Sequence, residues 1–319
     1  MSDHTKIEWA DATVNAVNGC SLASPGCTNC YAMRLAGTRM KHHPTREGLA
    51  TDSKAGPVWN GAVRLHEPAL LQPLRWKRPR RIFWNAHGDL FHPAVPDEWI
   101  DRVFAVCALT PQHTHMILTK RSARMREHLA ALGTSDWQAC LGNTLRRSLA
   151  TAPGGRPAWP LPNVWLGVSV EDQTRADERI PDLLATPAAV RFLSCEPLLG
   201  PVSLARWIEE DDDAPVYSSD LDWVIVGGES GPGARPMHPD WARTLRHQCY
   251  AADIEFHFKQ WGEWAPTSGP DGFWPHNTPS ACRLMPNGER HPRGLSMQRI
   301  GKKAAGRLLD GVEHNGMPA

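Results

Sequence analysis

The 319-residue chain has no apolar run of membrane-spanning length, which would need about 20 residues. Its opening, "MSDHTKIEWAD", lacks the basic stretch followed by an apolar one that an export signal requires. Both absences lead to the expectation of a cytoplasmic protein with no membrane partner. Cysteine is sparse as well: 8 residues are too few for a disulfide framework in a chain of this size. In a reducing compartment they are expected to be thiols or metal ligands. Excess charge of either sign is also missing, with a formal net charge of +1. Hydrophobic residues make up 41% of the sequence. A globule of this mass hides roughly 75% of its extended-chain surface, enough for one large core or two ordinary domains, so global disorder is excluded.

The charge that is present is unevenly placed. Residues 1–160 carry 20 Lys and Arg against 12 Asp and Glu, whereas residues 161–319 carry 15 against 22. The basic part concentrates in "RWKRPRR" (Arg75 to Arg81) and "TKRSARMR" (Thr119 to Arg126), the acidic part in "EEDDDAP" (Glu209 to Pro215). Such polarity suits a phosphate-bearing partner on one side; it suits charged loops around a barrel equally well. Trp76, interleaved in the basic run, adds the stacking surface that nucleotides and nucleic acids use.

From residue 80 onward a short β-branched run, a polar turn and an amphipathic stretch recur. Strands are expected near 81–85, 115–119, 163–168, 190–194, 223–227 and 254–258, and "IEWADATVNAV" can supply one more. "PDEWIDRVFAVCAL" places Trp99, Val103, Phe104 and Cys107 at helical spacing, with Asp97 as its cap; Ser122 is placed to cap the next helix. Cys107 and Cys249 read as core cysteines of amphipathic helices, and Trp84, Trp165 and Trp223 as core residues of strands. Strands alternating with helices predict an α/β fold of about 6–7 mostly parallel strands, an incomplete or irregular β/α barrel. A doubly wound open sheet is the competing arrangement. Residues 1–276 are read as one barrel-like domain containing a cysteine loop at 18–37, and residues 277–319 as an irregular cover with a loose tail. The Pro/Gly connector at 151–162 and the acidic stretch at 209–220 interrupt the pattern.

Ligands of parallel β/α folds bind at the C-terminal ends of strands. This chain puts polar residues at each expected end: Asn85, His87 and Asp89; Thr119, Lys120 and Arg121; Ser169, Glu171 and Asp172; Ser194, Cys195 and Glu196; Gly228, Glu229 and Ser230; Lys259 and Gln260. Lys120, Glu196 and Lys259 are the candidates for a catalytic role. Asn85, Asp89, Ser169, Gly227, Gly228, Glu229 and Ser230 are the candidates for binding a cofactor. In "GGESGPG" (227–233) the glycines would admit a ligand to backbone N–H groups, or simply make a tight turn.

"NGCSLASPGCTNCYAMRLAG" (Asn18 to Gly37) sets Cys20, Cys27 and Cys30 in a C-x6-C-x2-C pattern among small and turn-forming residues. Such a loop can wrap a compact object. Thiolates select zinc, copper(I) or iron–sulfur clusters. A structural zinc site wants a fourth ligand, and no further cysteine lies near in sequence. A three-cysteine cluster, a zinc site and inert or redox thiols all remain open on the residues alone.

"IEWADATVNAVNGCSLASPGCTNCYA", "LTKR", "WLGVSVED", "FLSCEPLLGP", "VIVGGESGPGARP" and "FKQWGEW" together resemble an uncharacterised phage-type three-Cys-motif family, which is similar to radical S-adenosylmethionine (SAM) enzymes. The matching segments span Ile7 to Trp264. The resemblance implies a partial β/α barrel in which Cys20, Cys27 and Cys30 hold a [4Fe–4S] cluster. It further implies that an open iron takes the methionine part of SAM, with an external electron donor. Radical chemistry on SAM would then be the activity, with Glu229, Gly227 and Gly228, or Glu196, holding the SAM amine and ribose; the basic run with Trp76, and not the resemblance, points to a nucleotide or nucleic-acid substrate. The chain departs from the usual C-x3-C-x2-C pattern in its longer first gap, and Tyr31 follows Cys30 where an aromatic normally precedes the last cysteine. Two other readings stand beside this one. One is a non-catalytic module, stabilised by zinc or a cluster, that binds nucleic acid or protein. The other is a metal-dependent hydrolase using His87, Asp89 and His92 of "NAHGDLFH".

Overall fold

A computed structural model describes residues 5, 7–134, 158–210, 217–266 and 281–319. The connector over 151–157, the acidic residues 211–216 and the segment 267–280 lie outside the described residues. Seven strands form the main sheet: β1 (Ala12–Val14), β2 (Arg81–Trp84), β3 (Thr114–Thr119), β4 (Val164–Ser169), β5 (Val190–Cys195), β6 (Trp223–Gly227) and β7 (Glu255–Gln260). They are parallel and lie in chain order from β1 to β7. A doubly wound sheet must reverse its order at a switch point. This sheet never does, so its winding is that of an incomplete β/α barrel. The first strand comes from "IEWADATVNAV", as expected.

Two compact units divide the chain: Met1–Val168 with Arg179–Arg191, and Ser169–Glu178 with Phe192–Ala319. In the first, Ile82, Phe83 and Trp84 of β2 are all buried, as a strand covered on both faces requires. The Trp84 indole donates to His115 Nδ1 at 3.0 Å, and Thr110 Oγ1 lies 3.0 Å from His115 Nε2, so this core histidine is fully engaged. Helix α1 (Tyr31–Gly37) follows the cysteine loop, α2 (Asp97–Leu109) follows β2 and α3 (Ser122–Thr134) follows β3. Helix α2 buries Ile100, Val103, Phe104 and Cys107, each large side chain contributing about 1.5–3 kcal/mol. Trp99 is only half-buried. The expected caps are corrected. Pro96 holds the N-cap position of α2, and Asp97 in the first turn pairs instead with Arg124 at 2.7 Å. Ser122 lies inside α3 and donates to Asp182 Oδ2 at 2.7 Å.

In the second unit, β6 is buried along its whole length. Helix α5 (Pro239–Ala251), which comes after α4 (Gln173–Leu184) in the chain, starts at His238, whose ring accepts from the Asp240 N–H. It buries Trp241, Leu245 and Cys249. Strands β8 (Trp264–Pro266), β9 (Ala281–Leu284) and β10 (Leu295–Arg299) make an antiparallel sheet in the order β8-β10-β9. The segment beyond 280, read from sequence as irregular, therefore carries two strands. The last residues are not loose either. The Phe258 N–H donates to His314 O and the Gly316 N–H to Phe256 O, both at 3.0 Å. His257 and Asn315 form an antiparallel bridge, and the Trp223 indole donates to Gly316 O at 2.7 Å. The tail thus pairs with the outer edge of β7.

Candidate functional site: a cysteine loop clamped at strand ends

The cysteine loop leaves β1 and is fixed to the segment that follows β2. Asn85 takes a left-handed backbone (φ 56°) and its Oδ1 accepts the Val17 N–H at 2.8 Å. The Gly19 N–H donates to His87 O at 3.1 Å, and Gly19 and Gly88 form a parallel bridge. Gly19 has φ 94°, and a Cβ there would overlap the carbonyl of Ala62. Only glycine lets the chain enter the loop along this path.

Arg121, just beyond β3, provides the second clamp. Its Nη1 donates to Asp89 Oδ2 at 3.0 Å, and its Nη2 donates to Ser21 O at 2.8 Å and Ser21 Oγ at 3.1 Å. Asp89 is buried and also accepts from Thr119 Oγ1 (2.6 Å), Lys120 N (3.0 Å) and Phe91 N (3.0 Å). Burial works against the Arg121 charge, but Asp89, with Cys20 and Cys27, offsets it and the guanidinium is held above its ordinary range. Ser21 Oγ lies 2.8 Å from His92 Nε2. The loop is therefore tied to the C-terminal ends of β2 and β3, the functional face of a β/α sheet.

All three loop cysteines are free thiols; Cys27 is buried, and Cys20 and Cys30 are half-buried. Cys20 and Cys30 pack against Ala32, Met33, Ala36, Leu49 and Trp59. The Cys27 sulfur lies 3.5 Å from the Ala23 N–H and 3.9 Å from Ser24 Oγ. Burial pushes the Cys20 thiol up to about 12, with Asp89 adding to the rise and Arg121 opposing it. The Cys27 sulfur adds a smaller upward push to Cys20, and both sulfurs support the Arg121 charge. Among the described residues, no three His, Cys, Asp or Glu side chains are gathered closely enough to hold a metal ion. The donor set suits a soft metal or a cluster, with three thiols and a guanidinium that favours negative charge on sulfur. Its sulfurs are not arranged as a closed cage.

The histidine set of the hydrolase reading is not assembled either. Asp89 is occupied by its four donors. His92 Nδ1 accepts the Ala94 N–H at 3.2 Å while its other nitrogen meets Ser21. His87 Nδ1 meets the Arg46 guanidinium. Burial, reinforced by Arg46, lowers His87 to about 4, so the ring is neutral near pH 7. Burial also lowers the buried Arg46 to about 10. Sequence reading missed Arg46, because nothing in "HHPTREG" marks one arginine as buried.

The second unit has its own strand-end group. Lys259 Nζ and Glu196 Oε2 form an ion pair at 3.0 Å. Glu196 Oε1 occupies the space a side chain at Gly227 would need, and a Cβ at Gly228 would overlap the Trp261 carbonyl. These glycines therefore admit a neighbouring carboxylate and a neighbouring backbone. Glu229 is buried and accepts from Arg235 N (2.8 Å), Nε (2.9 Å) and Nη2 (2.6 Å). Ser230 Oγ accepts from Gln260 Nε2 at 3.0 Å. Ser169 ends β4 and is buried. Cys195 is fully buried, with its thiol pushed up first by burial and then by Cys249 and Glu171.

No curated protein and no solved structure matches the chain. One family model does, over residues 4–318. The chain therefore belongs to the family described as "Protein of unknown function (DUF5131)".

Proposed function

We propose that Cys20, Cys27 and Cys30 hold an iron–sulfur cluster, and that the protein is a radical SAM-type enzyme. The observation that carries the reading is the Arg121 clamp, which ties the three-thiol loop through Ser21 to the ends of β2 and β3. When bound, such a cluster supplies single electrons to a sulfonium such as that of SAM. The chain's own residues would bind and shield it. Arg121 offsets thiolate charge, and Asp89 keeps Arg121 in place. Met33, Leu49 and Trp59 keep water from the inner side of the loop. In the second unit, Glu196 and Lys259 offer paired charges to a polar ligand. Because the thiols do not form a closed cage, loading has to draw them together.

The function is tested by reducing anaerobically reconstituted protein in the presence of SAM and measuring 5′-deoxyadenosine. The proposal expects its formation, and its loss in Cys27→Ala. Colourless protein carrying one zinc and no SAM cleavage would establish the non-catalytic reading instead.

A further inference from the structure

We infer that the segment Arg75 to Arg81 is a docking surface for the phosphate backbone of a nucleic acid, at the end of the first unit's strands opposite the cysteine loop. Arg81 is the first residue of β2, so the segment enters the sheet at the N-terminal end of that strand. The Thr114 N–H, at the start of β3, donates to Arg80 O at 2.9 Å, and Gln112 Nε2 donates to Trp76 O at 3.2 Å. The cysteine loop is tied to residues 85–92, beyond the other end of β2. Four strand residues, roughly 13 Å, separate the two.

Arg75, Lys77 and Arg78 are exposed, and none has an ion-pair partner among the described residues. Asp11 is engaged elsewhere in the run, by the Arg81 N–H at 2.8 Å and the Arg81 guanidinium at 3.3 Å. Pro73 and Pro79 restrict the backbone on either side, and the Gln112 bond holds the middle. The cations are thus presented from a fixed frame. Trp76 is already covered: the Arg80 guanidinium lies 4.5 Å from its ring centroid, and His113 meets it edge-on at 6.1 Å. With that ring face occupied, the exposed cations supply the contacts, and contacts to phosphate are indifferent to sequence. A bilayer would ask for an apolar face beside the cations, and between Pro73 and Arg81 Leu74, just ahead of the run, is the single exposed large apolar residue.

The docking does not rest on the cluster reading, and the test separates the two. Binding of a labelled, mixed-sequence single-stranded DNA is followed by fluorescence anisotropy as salt is raised. Contact with three phosphates predicts an affinity falling about 20-fold between about 50 and about 200 mM salt. Simultaneous Arg75→Glu, Lys77→Glu and Arg78→Glu should abolish binding with the melting temperature unchanged. The milder pair Lys77→Gln and Arg78→Gln should weaken binding and flatten the salt slope. Cys27→Ala should bind like the parent. The inference is overturned by absence of binding at the lowest salt, or by binding that ignores the charge substitutions. Loss of binding in Cys27→Ala, or binding to phosphatidylserine vesicles in place of DNA, would overturn it as well.

Discussion

Asp89 is the residue on which the first unit's site turns. Its carboxylate receives the Thr119 hydroxyl, the Arg121 guanidinium and two backbone N–H groups. Asp89→Asn keeps the shape but leaves Arg121 without its counter-charge, a loss of about 3 kcal/mol for a buried pair. A thermal melt should show the drop, and an unchanged melting temperature would count against the clamp. In the second unit, Gly228 and Gly231 make a controlled comparison. Alanine at Gly228 would meet the Trp261 carbonyl, whereas Gly231 has open space around it and only a positive φ of 93°. Gly228→Ala should therefore destabilise far more than Gly231→Ala, which should cost about 1 kcal/mol. Acid sensitivity follows from buried histidines. Burial, reinforced by His113, lowers His115 to about 3. Burial, with Arg307 and Lys259, lowers His257 to about 4. An unfolded histidine takes up its proton near about 6.5; these two, while folded, do not. The histidine contribution to stability should be constant above that pH and fall steadily from about 6.5 towards about 4. Denaturant titrations at neutral pH and near pH 5 would reveal it, and equal stability at both would refute it. Much of this was visible in sequence, since Asp89, Arg121 and Glu229 were marked by their place after a strand. Their partners were not: Ser21 and Arg121 stand 100 residues apart, and only the folded sheet brings them together.

At the scale of elements, the strands were legible because their apolar cores are nearly unbroken, as in "VIV" and "MIL". Helix caps were less so. Asp97 and Ser122 are residue types that cap well, but longer-range partners, Arg124 and Asp182, engage them. The C-terminal end was misread for a related reason. Strands β9 and β10 and the tail bury few side chains in an alternating pattern, and the tail is held by backbone pairing, which leaves no hydrophobic signature. Its role is to cover an edge that would otherwise offer unpaired N–H and C=O groups. Asp310 fastens it through Arg243 at 2.6 Å and Arg246 at 2.9 Å. Deleting residues 307–319 should expose β7 and produce concentration-dependent association, seen by sedimentation. Gly316→Val should do the same more gently, because its Cβ would lie 2.6 Å from the Phe256 nitrogen. A truncated chain that stays monomeric at high concentration would remove the edge-cover role.

For the molecule as a whole, alternating strands and helices implied a β/α winding, and the unreversed strand order shows it. The division into two compact units left no mark on composition, since its boundaries fall inside β4, α4 and β5 and not at a Pro/Gly linker. Family membership covers nearly the full chain, so the cysteine loop and both strand-end groups lie within the matched region. What the residues could not reveal is how far apart the three sulfurs rest before anything binds them. The direct measurement is iron and acid-labile sulfide per chain after anaerobic reconstitution, made in parallel on the parent and on a variant with Cys20, Cys27 and Cys30 all changed to alanine. The account predicts about four of each in the parent and a background level in the variant. Equal iron and sulfide in the two would contradict it.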